Sequence, residues 1–464
     1  MNEVDEFDDR FVEDVAKSGA GLRQRETAVD TTTSGRRLRL VGRVAAALLV
    51  LPLALAACGG NDNNSSSSGG PVKLEFWGWA PGYDKSVELF NASHKDIQVA
   101  FNKLPSGAAG GYDKMFSAVK AGNAPCLAQV GFESVPTFLL EGALEDVTAE
   151  ASTAKGQFVP WTWNQVSVAG RTYAVPVDTG PTALYYRKDV FEKYGIAVPT
   201  TWDEYANAAE KLHAADPKAY ILNLKSTDLS GLAWQSGAKW FGTEGDAWKV
   251  TVNGPETKRV ADYWQGLIDK KLVNTTDQGA AWWSSLQSGK VATAIGAVWL
   301  HPLIAENAPG AKGKFAVAPM PQWAAGEKKF GNEGGSSTAV LKGCKNKKAA
   351  VEFATWMSTN PDSLKNLIKV TGIYPAATAG LQLPEVNSGV DYFGGQNIFE
   401  VFAEAAQNTD TSWQWGPVHS QFGADLGEAF GNAYAGKTTL PGAFDAVQQK
   451  TVEAMKSKGL KVEG

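Results

Sequence analysis

Residues 173–202 read YAVPVDTGPTALYYRKDVFEKYGIAVPTTW. Tyr173 to Val177 alternate like a strand, and the pattern breaks at Gly180-Pro181. It resumes with Leu184, Tyr185 and Tyr186 and then passes into a helical pattern. Strand and helix signals alternate on both sides of the break, so it predicts a chain passing from one α/β body into another. Asp178 sits beside the break, where a carboxylate would face anything held between two lobes. The expected architecture is a two-lobed α/β fold with mostly parallel sheets and about three crossings. Lobe 1 is expected over residues 72–179 and 327–371, and lobe 2 over 180–326 and 372–464.

The 464 residues are 44% hydrophobic and 20% charged, a globular composition with room for two cores. A formal net charge of −5 and the lack of any basic stripe exclude a nucleic-acid partner. Residues 1–34 are acidic and then polar with no apolar period, so disorder is expected there. Arg36, Arg37, Arg39 and Arg43 then precede an apolar run over residues 44–57 that ends at Cys58. That order of basic, apolar and small residues describes a secretory signal, too short for a comfortable membrane span. Because the leader lies so far from Met1, translation is expected to start later. Residues 59–71 (GGNDNNSSSSGGP) read as a flexible tether.

Cys126 and Cys344 are the thiols left after Cys58. Outside the cytoplasm such a pair tends to oxidise, so a Cys126–Cys344 disulfide is one expectation; two separate buried cysteines are the other. His94, His213, His301 and His419 are scattered, with no metal-ligand spacing.

Along the chain, residues 72–77, 83–93 and 97–101 read as a β-α-β unit, and 126–130 as a further short strand with Glu133 just past its end. The glycine-rich segment 106–111 lacks phosphate-loop spacing and reads as a flexible connection. Residues 158–177 read as a crossing hairpin turning at Ala169-Gly170. Thr201 and Glu204 form a capping box for a helix, and Val260, Trp264, Leu267 and Ile268 mark the core face of another. Helices are expected at 395–406, 417–434 and 440–458, and no internal repeat is present.

For chemistry, the chain lacks a Gly-x-Ser-x-Gly elbow and a His-Glu-x-x-His pair. Glu133 and Asp178 would suit a glycosidase only with their carboxyls about 5–9 Å apart. The same acids also suit binding, because sugar hydroxyls bond to carboxylates while the C–H face of the ring packs on an aromatic. The candidates are Trp77, Trp79, Glu133, Asp178, Asp228, Trp234, Trp299, Trp413 and Trp415, with core packing the competing role for each Trp. Trp413 and Trp415 stand out, since both precede a helix in a loop bounded by Gly416-Pro417.

The stretch from Tyr173 to Tyr205, with Leu55-Ala56-Ala57-Cys58 and the serine-rich tether, resembles the lipoprotein receptors of ATP-binding-cassette importers, in the extracellular solute-binding family that includes maltose-binding protein. The likeness runs from Phe76-Trp77 through residues 288–292 and Trp299 to Gly334-Gly335 and residues 372–375. It implies a two-lobed periplasmic-binding-protein-like fold of type II that closes on a mono- to oligosaccharide and delivers it to the membrane subunits of a permease. It further implies a monomer with no cofactor and no catalytic residue, lipidated at Cys58 and held on the outer face of the membrane. Carried over by position, the family's ligand acids fall on Glu133 and Asp178, its second-lobe aromatic on Trp299, and a polar contact near Asp228. The stacking aromatic of maltose-binding protein falls near Gly423, so Trp413 or Trp415 is expected to take its place. A receptor for a non-sugar solute and a secreted glycosidase are the rival readings.

Overall fold

Leu74 and Phe76 turn inward while Lys73 and Glu75 face solvent, so the alternation in VKLEFWG makes Val72–Gly78 a half-buried strand. It belongs to a computed structural model that describes residues 70–463 except 277. The leader, Cys58 and the tether up to residue 69 lie outside the described residues. Helix Tyr83–Ser93 buries Val87 and Phe90 and returns the chain to strand Ile97–Lys103, parallel to the first. Leu127–Gly131 adds a parallel neighbour on the other side. Ser336–Val340 and Ala174–Pro176 complete this first sheet, and both of their pairings are antiparallel.

The second sheet has Thr182–Arg187 at its centre, antiparallel to both Thr293–Ala297 and Phe315–Ala318. The expectation of mostly parallel sheets is therefore corrected. A helical crossover forces parallel pairing, but Thr182–Arg187 follows directly from Asp178–Thr179, and Ser336–Val340 enters the first sheet from the second.

Three connections between the sheets lie side by side. Tyr374–Pro375 pairs antiparallel with Asp178–Thr179, Pro181 bridges Asn332, and the Glu333 amide donates to the Gly180 carbonyl at 2.7 Å. After the third connection, helix Phe399–Gln407 packs on strand Thr182–Arg187. Residues 158–177 are only partly the expected hairpin. Pro160–Gln165 is helical, and the hairpin is confined to Ser167–Val168 and Arg171–Thr172. Its turn holds Ala169 at φ 50° and Gly170 at φ 77°, the twist that suits a two-residue hairpin loop.

Aromatic packing fixes each core. Phe76 sits within 5.6 Å of the Tyr83, Phe101 and Phe353 rings, and Trp202 lies edge-on to Tyr205, Tyr263 and Trp264. Helix Trp202–Ala215 begins with the Thr201–Glu204 capping box. Among the described residues no helix is long and apolar enough to cross a membrane.

Cys126 and Cys344 are joined with a Cα–Cα distance of 4.7 Å, each beside a strand of the first sheet. The link closes a span of 218 residues that runs out through the second sheet and back. Replacing both cysteines by serine is expected to lower unfolding free energy by about 2–5 kcal/mol in urea titrations. Ligand affinity should stay unchanged, because both ends of the link lie on the first sheet.

Candidate functional site

Where the three connections meet, a cleft of about 1060 Å³ opens between the two sheets, lined by loops from both. Its floor carries Glu133, Asp178 and Glu333. Glu133 stands on the turn Phe132–Ser134, directly after a first-sheet strand. Its Oε1 accepts from the hydroxyls of Tyr112 at 3.2 Å and Ser134 at 3.3 Å, and Tyr112 in turn accepts from the Gly131 amide at 2.9 Å. A Cβ on Gly131 would lie 2.1 Å from that oxygen, so this pose of Glu133 depends on a glycine two residues earlier.

Asp178 Oδ1 accepts both the Ser336 amide at 2.7 Å and the Ser336 hydroxyl at 2.6 Å, tying the first connection to the second. Glu333 Oε2 accepts the Ala297 amide at 3.1 Å, from the end of a second-sheet strand. Each carboxylate thus has one oxygen anchored. Among the described residues no donor from another residue reaches the other.

Burial pushes the Asp178 carboxyl up to about 7, the Ser336 donors oppose this, and the charge of Glu133 adds to it. Burial also raises Glu333, against the pull of Lys225 and with a push from Asp228. His419, on the cleft wall, is lowered by burial despite Glu133. Asp113 and Glu306 line the cleft as well, while no Lys or Arg does so among the described residues. The floor therefore offers hydrogen-bond acceptors and no fixed positive charge, which suits a ligand rich in hydroxyls and opposes an anion.

Aromatic faces complete the lining. Gln129 Oε1 accepts the amides of Trp79 at 3.0 Å and Ala80 at 3.1 Å, and the Trp79 ring meets Tyr112 edge-on. Trp299 caps helix Leu300–Asn307, and its ring tip lies 2.3 Å from where a Cβ on Gly180 would be. Trp415, Trp240 and Phe422 line the cleft as well.

Of the sequence candidates, the structure brings Trp79, Glu133, Asp178, Trp299 and Trp415 to this cleft. It places four elsewhere. Trp234 and Trp413 stack at 4.7 Å with 6° between planes, 2% and 1% exposed, and Trp234 donates to the Asp410 carbonyl. Asp228 is buried with its oxygens turned to the Lys225 amide at 2.9 Å and ammonium at 3.4 Å, although Ser226, Thr227 and Ser230 around it do line the cleft. Trp77 donates to Glu75 outside the cleft. Gly423, the position expected to lack a stacking ring, does face the cleft, and a Cβ there would meet nothing within 4 Å.

Tyr112, Gln129, Trp240, Glu333, Ser336 and His419 went unread in the sequence. The segment 106–111, read as a mere connection, contributes Ser106, Gly107 and Ala108 to the wall. A Cβ on Gly107 would sit 2.3 Å from the Tyr112 ring, so the glycine marks close packing under the site.

A family profile described as bacterial extracellular solute-binding protein matches residues 78–362. The chain belongs to this family. The solute-binding protein is similar to the galacto-N-biose/lacto-N-biose I-binding protein of the Bifidobacterium longum ABC transporter, solved with lacto-N-biose. That likeness has a TM-score of 0.78 and 31% identity, over 86% of this chain and 100% of the other. It is also similar to the ABC-transporter-associated binding protein of B. animalis subsp. lactis Bl-04, solved with β-1,6-galactobiose, with a TM-score of 0.76, 29% identity and coverage of 85% and 100%. In sequence it is 24% identical to the arabinooligosaccharide-binding protein of Bacillus subtilis over 377 residues, 77% of this chain and 86% of that one.

The raised Asp178 carboxyl has a signed consequence. Unfolded, it loses its proton near pH 4; folded, near pH 7. Between those values the native state holds the extra proton, so stability falls as pH rises and levels off above about 7. Asp178→Asn keeps an acceptor for Ser336 and removes the titration. In urea melts of the ligand-free protein, its stability relative to wild type should climb from pH 4 to pH 7 and then stay level; a pH-independent difference would contradict this.

Proposed function

We propose that this solute-binding protein captures a mono- to oligosaccharide in the cleft and closes over it, handing it to the membrane subunits of an ABC importer. The observation that carries the reading is the floor itself, where carboxylates anchored through one oxygen share the cleft with Trp79, Trp299 and Trp415 and, among the described residues, no lysine or arginine lines it. Such a surface accepts hydroxyl protons and packs the apolar face of a sugar ring, whereas a phosphorylated ligand would want cations. The named ligands of the similar proteins, lacto-N-biose and β-1,6-galactobiose, have this chemistry.

Closure follows if one ligand touches both bodies, because only a preference for the closed state shifts that equilibrium. Residues 72–179 with 327–371, and 180–326 with 372–464, are the proposed moving bodies. Glu133 and Asp178 belong to the first and Trp299 and Trp415 to the second, and the reading keeps these as ligand contacts. It also keeps lipidation at Cys58, a tether holding a monomer at the membrane's outer face, and no catalytic step.

A thermal-shift screen across neutral mono-, di- and oligosaccharides is expected to find at least one that raises the melting temperature. Against that sugar, Asp178→Ala should weaken binding by about 1.5–3 kcal/mol in calorimetry, the range for a hydrogen bond to a charged group. Unchanged affinity would remove Asp178 from the site, and turnover of a chromogenic glycoside would overturn the binding-only reading.

A further inference from the structure

Glu333 was not singled out by any sequence motif, yet it occupies a particular place. It lies on the second connection, and its carboxylate lines the cleft. Its amide donates to the Gly180 carbonyl, and its Oε2 accepts from Ala297, two residues before Trp299. A Cβ on Gly180 would lie 2.2 Å from the Glu333 carbonyl oxygen and 2.3 Å from the Trp299 ring tip. The same bare backbone therefore seats both groups. Gly180 thus seats the Glu333 main chain against the Trp299 ring tip, while the Glu333 carboxylate is held by the Ala297 amide two residues before that tryptophan.

The remaining oxygen, Oε1, receives no protein hydrogen bond among the described residues, although the acid is held half-buried near Lys225 and Asp228. Oε1 opens onto the cleft and is not sealed in the core, so a ligand hydroxyl can take the place of water there. Lys225 is engaged with Asp228 and lies 4.2 Å from the Trp282 ring centre, so it does not take that role.

We propose that Glu333 is a ligand-contacting, specificity-determining residue, whose Oε1 accepts a hydrogen bond from a hydroxyl of the sugar ring lying against Trp299. This rests on the sugar-binding reading above and deepens it. The subsite favours a ring that presents a hydroxyl donor at its edge and disfavours one carrying a carboxylate or phosphate there, because Asp178 and Glu133 share the same floor.

The test uses the full chain with lacto-N-biose and β-1,6-galactobiose as probes, together with their monodeoxy analogues, read by calorimetry alongside the melting temperature of ligand-free protein. Glu333→Gln keeps an oxygen for the Ala297 amide and replaces the free acceptor with an NH2 group. It should weaken binding roughly ten- to a hundredfold without lowering the ligand-free melting temperature. One deoxy analogue should bind wild type and Glu333→Gln equally weakly, which a merely structural role would not produce.

The inference is overturned if Glu333→Gln binds the sugar like wild type, if Glu333→Ala loses affinity and Glu333→Gln restores it in full, or if no deoxy analogue shows this coupling. If wild type binds neither probe nor any neutral saccharide, the sugar reading itself fails and takes the inference with it. Sugar binding by wild type together with unchanged affinity in Glu333→Gln removes the inference alone.

Discussion

No side chain fits at residue 180. A single added carbon would meet the carbonyl oxygen of Glu333 and the ring tip of Trp299 at distances no carbon atom tolerates. Around this glycine the chain passes from one sheet to the other, and the returning segment bonds back to it through the Glu333 amide. Asp178, two residues earlier, accepts both donors of Ser336 at the far end of the returning segment. The third connection pairs with Asp178–Thr179. The crossing, the Trp299 ring and two of the floor acids thus share one tightly packed joint, so these cleft-lining groups are set by the same backbone that joins the two sheets.

The floor is electrostatically uncomfortable by design of its lining. Buried carboxyls rise in pKa because charge is disfavoured away from water, and Asp178 and Glu333 both do so. Core acids are ordinarily paired with a cation, as Asp228 is with Lys225. The cleft acids instead have neutral donors on one oxygen and, among the described residues, none from another residue on the other. This pattern has a simple account if an uncharged, hydroxyl-bearing ligand completes them. Contacts from both sheets to one such ligand would then supply the differential affinity that closure requires.

Much of the fold was legible because its signals are local. The Thr201–Glu204 box, the stripe on helix Pro255–Asp269 and the break at Gly180-Pro181 each follow from residues a few positions apart. Strand direction was not legible, since it depends on how distant segments return: Ser336–Val340 pairs against Leu127–Gly131 after the chain has built the second sheet. In the site, Glu133 and Asp178 could be read because each sits just past a strand or at the break. Glu333 could not, because its role depends on Ala297 and Gly180, both far away in the chain. The tryptophans divide for the same reason. Trp413 and Trp415 are two residues apart in one loop, yet Trp413 stacks on Trp234 behind the wall while Trp415 lines it. Composition and loop context do not distinguish two rings whose fates are decided by a partner from another helix.

The central claim is that a sugar draws the two bodies together across the joint at Gly180. Small-angle X-ray scattering of the chain with and without a saturating saccharide tests it most directly. The account predicts a smaller radius of gyration with the sugar bound, and no such change in a Trp299→Ala, Asp178→Ala variant that fails to bind. Stoichiometric sugar binding with an unchanged radius of gyration would contradict it.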